Sequence, residues 1–396
     1  MRMTHRQRML AAIQRERVDQ IPWAPRMDLW TIANRARGRL PAQFIGLNLV
    51  EIAEVMGVGC HAVGGDQTLP GERDAVLRGL GCDNHPDYPY RVELRRLPVT
   101  YESDGESSRT RIITPAGEVS THLFRSEQMT KDGISLPFFK SHAIQSIDDF
   151  ESVAQIFENL AVVATPDAYA NFQTRVGESG LAVARGPIAA SPMHLILHQL
   201  SPYDQFFYLY HDERQALRRL AARMEPFFEA ILDALVGCEA EVVFWGGNYD
   251  QNITWPAFFK EEITPWLKKA SDRLHAAGKI MLTHTDGENR ALLPLYPACG
   301  FDVAESVCPT PMTQCTLAEI KRGMGPEVTI WGGIPSVILL DSATTAQAFE
   351  EYIDKLFDTP GIETGMILGV SDNVPPDANF ARLEEIKKRV EAFDLG

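Results

Sequence analysis

The chain has 396 residues, 45% hydrophobic and 23% charged, a globular balance that excludes a disordered or collagen-like polymer. Its 38 Lys and Arg against 53 Asp and Glu leave a net charge of -15, which disfavours nucleic acid and anionic membrane surfaces as partners. No stretch reaches the roughly 18 uninterrupted apolar residues of a membrane span, the Arg-rich segment from Met1 to Gln20 lacks the apolar core of a signal peptide, and six scattered cysteines hold no Cys-x-x-Cys pair. These features predict a cytoplasmic protein with reduced thiols.

In chain order, short β-rich runs occur at Ile21–Pro25, Val58–Ala62, Leu181–Arg185, Glu241–Trp245, Lys279–Thr283, Phe301–Glu305, Val328–Trp331 and Met366–Val370. Helix-length amphipathic segments alternate with them. One example runs from Thr264 to Ala277, with Trp266, Leu267, Ala270, Leu274 and Ala277 on one face and Gly278 as its stop. Eight parallel strands, each followed by helical sequence, predict an α/β fold of the TIM (β/α)8-barrel type over a single domain, residues 1–396. An open doubly wound sheet would carry a Gly-x-Gly-x-x-Gly turn, which is absent. Roughly 115 residues separate the second and third runs, far more than a crossover needs. Within them Tyr90–Leu97 and Arg109–Phe124 alternate polar and apolar residues around Thr114-Pro115-Ala116-Gly117. This predicts an antiparallel insertion, residues 88–125, lidding or flanking the barrel mouth.

Catalytic groups of such barrels lie at the carboxyl ends of the strands. The residues there are Arg26 and Asp28; His61 and Asp66; Arg185; Asn248, Asp250 and Gln251; His284 and Asp286; Glu305 and Cys308; Gly332 and Gly333; and Ser371, Asp372 and Asn373. In His284-Thr285-Asp286-Gly287 the two functional side chains stand two apart at a strand end, and Gly287 permits a sharp turn. With Glu305 they can form a His/Asp/Glu set for a zinc-type Lewis acid. Alternatively His284 is a hydrogen-bonding substrate contact that Asp286 orients. Asp250 reads as a base or ligand, or as a loop carboxylate capping the helix near Trp255. Arg26 and Arg185 can each clamp an anionic group or form an internal ion pair. His194 and His198 share a helix face with Leu197 and read as packing groups rather than ligands. Cys308 and Cys315 read as buried small residues before thiolate ligands.

The order of motifs resembles the uroporphyrinogen-decarboxylase-like superfamily, which includes the decarboxylase of haem synthesis and cobamide-dependent methyltransferases. The carrying features are Met3-Thr-His-Arg-Gln-Arg-Met-Leu10, then Val18-Asp-Gln-Ile-Pro-Trp23, Gly246 to Pro256, and His275-Ala-Ala-Gly-Lys279 leading into Leu282-Thr-His-Thr-Asp-Gly287. Trp331-Gly-Gly-Ile-Pro335 and Gly369-Val-Ser-Asp-Asn-Val-Pro-Pro376 close the series. The decarboxylase's Arg-rich segment is reduced here to Ala24-Pro-Arg-Met-Asp-Leu-Trp30. The thiol methyltransferases' zinc-binding cysteines are replaced by Asp286 and, near the end, by Val370-Ser371. Harder ligands suit an oxygen or nitrogen substrate.

The resemblance therefore implies methyl transfer between a small O- or N-methylated molecule and a separate corrinoid protein, with cobalamin carried on that partner because no Asp-x-His-x-x-Gly motif is present. In that reading His284, Asp286 and Asp250 are catalytic, and zinc sits on His284, Asp286 and Glu305. Arg26, Asp28, Trp30, Arg185, Asn248, Asp372 and Asn373 would contact substrate. A uroporphyrinogen-type decarboxylase and a barrel that binds a small molecule without chemistry are the alternatives.

Overall fold

The computed structural model describes residues 2–65 and 75–394, so Asp66 lies outside the described residues. Its strands are β1 (Cys60–Val63), β2 (Tyr90–Leu94), β3 (Val99–Ser103), β4 (Ser107–Thr114), β5 (Gly117–Phe124), β6 (Phe138–Ser141) and β7 (Leu160–Ala164). Then follow β8 (Gly180–Arg185), β9 (Val242–Gly247), β10 (Ile280–His284), β11 (Val303–Val307), β12 (Thr329–Pro335) and β13 (Met366–Ser371). Seven of them form one parallel sheet in the order β1-β8-β9-β10-β11-β12-β13. Each next strand thus joins the growing edge, and helical connections cover the sheet, so it curls.

The expected first strand is the exception. Ile21–Pro25 forms only a single parallel bridge, Trp23 to Leu368, because Pro22 and Pro25 have no N–H to give to a ladder. It nevertheless reaches both sheet edges. Ala24 N–H donates to the Leu368 carbonyl at 2.9 Å, Leu368 N–H to Pro22 at 2.8 Å, and Gly59 N–H to Trp23 at 2.8 Å. A segment joining β13 to the entry of β1 is consistent with a TIM-like barrel.

Between β1 and β8 the chain is antiparallel: β2 pairs with β7, and β3 to β6 form a four-stranded meander. The β4–β5 hairpin closes with Thr114 opposite Gly117, at the expected turn. Antiparallel pairing runs from Tyr90 to Ala164, beyond the 88–125 bounds read from alternation, because β6 and β7 are short and lack a polar-apolar rhythm.

Side-chain alternation places the site. Leu181 and Val183 of β8, Val242 and Phe244 of β9, Leu282 of β10, Val303 of β11, Trp331 of β12 and Ile367 of β13 pack into one buried cluster, together with Met9, Ala12 and Ile13 of the helix His5–Gln14. That helix begins at a Thr4/Gln7 capping box, so its start is fixed locally. Two residues further along three of these strands, on the same face, stand Arg185, His284 and Glu305. The helix Thr264–Ala276 forms as expected, burying Leu267, Ala270 and Leu274. No helix among the described residues is long and apolar enough to cross a membrane.

Candidate functional site

The β10–β11 register sets His284 directly beside Glu305. The imidazole Nδ1 hydrogen-bonds one carboxylate oxygen at 2.5 Å, and the other oxygen bonds His61 Nε2 at 2.9 Å. Glu305 thus bridges two histidines in a pocket where its own side chain is 3% exposed. On the opposite ring nitrogen, Nε2 lies 3.3 Å from Asp286 Oδ1 and 3.7 Å from Asp372 Oδ1. Asp286 Oδ1 is buried, with the His284 ring as its ion-pair partner.

The electrostatics follow from this packing. Burial alone would lower the His284 pKa, but the charges of Asp286 and Glu305 and their hydrogen bonds outweigh it and raise it to about 10. Burial pushes Glu305 upward, yet the His284 charge and the hydrogen bonds from His284 and His61 hold it well below the usual carboxylate range. At neutral pH the pair is therefore an imidazolium and a carboxylate.

Around it lies a cavity of about 970 Å³. It reaches from His284, Asp286 and Glu305 to Tyr101 and Leu136 of the antiparallel region, both half exposed, so it opens to solvent. Arg26, Asp28, Arg185, Asn248 and Asp372 also line it. Arg26 is held by Asp28 at 2.7 Å and Asp372 at 2.5 Å, two carboxylates that keep its guanidinium charged despite burial. Asp372 feels burial first, which raises its pKa, but Arg26 and His284 together bring it below its ordinary value. Gly287, at φ +97°, makes the turn after Asp286, where a Cβ would sit 2.8 Å from the Tyr249 carbonyl.

Three expected residues stand elsewhere. Trp30 is packed between Phe44 and Phe380, with ring centroids 5.9 and 5.6 Å away, and is a core residue. Asn373 ties the end of β13 to the next layer, accepting from the Leu29 N–H at 3.4 Å. The Asp250 carboxylate accepts the backbone N–H groups of Asn252 and Glu288 at 2.8 and 2.9 Å, the geometry of a loop cap, and Asp250 is not among the described residues that line the cavity. The expected metal set also does not converge. Glu305 sits on Nδ1 and Asp286 faces Nε2, so one ion cannot take both carboxylates with His284. Among the described residues no three His, Cys, Asp or Glu side chains are arranged to hold a metal ion.

Conversely, two groups gain importance. His61, present only as a strand-end residue in the sequence, is the second partner of Glu305. His198, which reads as packing, lines the cavity with Nε2 3.1 Å from Asn248 Nδ2. It is carried there by a π-helical turn, Ile196–Leu200, whose extra residue shifts the helix face. Burial pushes the His198 pKa down to about 4, against a smaller opposing pull from Asp286.

The family described as uroporphyrinogen decarboxylase (URO-D) matches residues 128–393, a span containing β7 to β13 and His284, Asp286 and Glu305. The chain belongs to the URO-D family. Among solved structures, this URO-D family member is similar to a methyltransferase from Methanosarcina mazei, with 14% identity, a TM-score of 0.58 and coverage of 98% of each chain. At that identity the likeness is one of fold. No curated protein matches the chain.

Proposed function

We propose that this URO-D family protein is a (β/α)8-barrel methyltransferase that moves a methyl group between a small O- or N-methylated substrate and a separate corrinoid protein. One observation supports it above others: a cationic His284, braced by Glu305 behind it and faced by Asp286, stands on the floor of a cavity large enough for a small organic molecule. The likeness to a methyltransferase along the whole chain agrees with this reading.

Breaking a methyl ether or methylamine bond leaves a basic heteroatom that needs a proton. His284 donates from Nε2 to that oxygen or nitrogen as the carbon–heteroatom bond opens and its electron pair leaves on the heteroatom. Glu305 stabilises the charge on the ring and fixes its orientation through Nδ1, and His61 fixes Glu305. Asp286, whose Oδ1 faces His284 Nε2 at 3.3 Å, holds the donating edge of the ring towards the substrate. A reduced corrinoid on the partner protein would supply the electron pair that takes the methyl group. Because the expected zinc ligands do not converge, no step is routed through zinc.

The alternative, decarboxylation of uroporphyrinogen, is the activity for which the family is named. It requires cations for several carboxylates, and Arg26 is already engaged by two of the protein's own.

The test is methyl transfer from a panel of methyl ethers and methylamines to reduced cobalamin, followed by absorbance. Activity abolished by His284→Gln supports the proposal. Carbon dioxide release from uroporphyrinogen, with no methyl transfer, contradicts it.

A further inference from the structure

Two arginines that line the cavity, Arg26 after the Ile21–Pro25 segment and Arg185 at the end of β8, are in opposite states. Arg26 is neutralised by Asp28 and Asp372. Arg185, at the end of β8, makes no ion pair among the described residues, although it is partly buried and lines the cavity. Its guanidinium lies over the Phe244 ring, 3.9 Å from the centroid. That stacking holds the plane of the guanidinium. The neutral Tyr88 hydroxyl accepts a hydrogen bond from its N–H edge, and no carboxylate among the described residues neutralises it.

The side chain is also fixed in place. Gly64, at φ +80°, brings the backbone so close that a Cβ there would be 2.7 Å from Arg185 Cδ. A fixed guanidinium in a partly buried cavity is costly to leave without a counter-charge, and its fork matches one planar carboxylate through two parallel hydrogen bonds. The charge of the molecule, -15, gives no general attraction to anions, so recognition of one would be local to this fork.

Phe244 connects this fork to the reacting end. Its other neighbour is His284, with ring centroids 6.5 Å apart, so guanidinium and imidazolium stand on either side of one side chain. A ligand anchored at Arg185 needs only the length of a small molecule to reach His284.

We propose that Arg185 anchors a carboxylate of the substrate, so that the molecule demethylated at His284 is a small organic acid bearing a methyl ether or methylamine. This rests on the cavity being the substrate site of the proposed methyltransferase. The carboxylate anchor itself, however, can be measured without any turnover.

Isothermal titration of the full-length protein with benzoate and 4-methoxybenzoate, each against its neutral amide, tests the anchor. The wild type should bind each acid about tenfold or more tightly than its amide. Arg185→Gln should remove that preference while leaving amide binding unchanged. Arg185→Lys, which keeps the charge and loses the fork, should retain part of it, and thermal melts of both variants should match the wild type. Equal binding of acids and amides by the wild type, no binding of either acid, or full preference retained in both variants would overturn the anchor. Acid preference that depends on Arg185 without methyl transfer from 4-methoxybenzoate supports the anchor and counts against the methyltransferase reading alone.

Discussion

Two pairs of histidines approach the same cavity, and their surroundings give them opposite chemistry. His61 and His284 share a buried carboxylate, Glu305, and His284 is held cationic with a pKa of about 10. His194 and His198, with ring centroids 5.6 Å apart, have no carboxylate between them. Burial pushes His194 well below its ordinary value and His198 down to about 4, so both are neutral at pH 7. His194 Nδ1 accepts the Ala190 N–H at 3.1 Å, and its Nε2 is buried without a partner. Burial alone keeps an imidazole neutral. Carboxylates facing both ring nitrogens, Asp286 and Glu305, reverse the sign at His284. The cationic His284 suits proton donation, and the neutral His198 suits hydrogen bonding to an uncharged part of a ligand.

The largest effect that would break this contrast is on His284 itself. His284→Gln removes the proton donor, and the methyl-transfer rate should fall by about 10²- to 10⁴-fold while ligand binding measured by titration persists. Retention of most of the rate would mean that the donor is another group.

Glu305→Gln should come next. It removes one of the two charges that raise His284, with Asp286 remaining, so the alkaline limb of the pH–rate profile should move down from about 10. Leaving His284 without the more buried of its two counter-charges should also cost about 3 kcal/mol of stability, read by chemical denaturation at pH 6.

The sign of the stability effect can be fixed from the two shifts. His284, raised from 6.5 to about 10, contributes stability that is full below 6.5 and is lost as the pH rises through 10. Glu305, depressed from 4.5, contributes stability that is full above 4.5 and is lost only as the pH falls through its low folded value. The difference between wild type and Glu305→Gln should therefore be greatest between pH 4.5 and 6.5 and shrink towards alkaline pH. A difference that grows with pH would contradict the assignment.

Two smaller effects sharpen the other side of the comparison. His198→Gln should raise KM by about tenfold or less and leave the pH–rate profile in place, because a neutral group is exchanged for a neutral one. Asp250→Asn should leave the rate unchanged and cost about 1 kcal/mol in denaturation, as befits a carboxylate that caps a loop.

Much of this arrangement is legible in the sequence. Continuous apolar runs such as Val242-Val243-Phe244-Trp245 read as strands buried on both faces, and polar residues at their ends mark one face of the sheet. The neighbouring strand ends of His284 and Glu305 could be read in the same way. What could not be read is which ring nitrogen meets Glu305, since side-chain rotation decides it, and on that point the expected metal set depends. Arg26 shows a similar limit: Asp28 is its sequence neighbour, but Asp372 comes from 346 residues away. His198 escaped because a π-helical turn breaks the i, i+4 rule that placed it with the core. Trp30 was drawn towards the substrate by its position after the first strand, while its ring turned into the aromatic cluster with Phe44 and Phe380.

The most direct measurement is the charge on His284 in the resting protein. In protein labelled with ¹⁵N-histidine, with His284→Gln used for assignment, the His284 ring should give an imidazolium spectrum through neutral pH and titrate near 10. A ring that is already neutral at pH 7, or that titrates near 6.5, would contradict the account of this site as a carboxylate-braced proton donor.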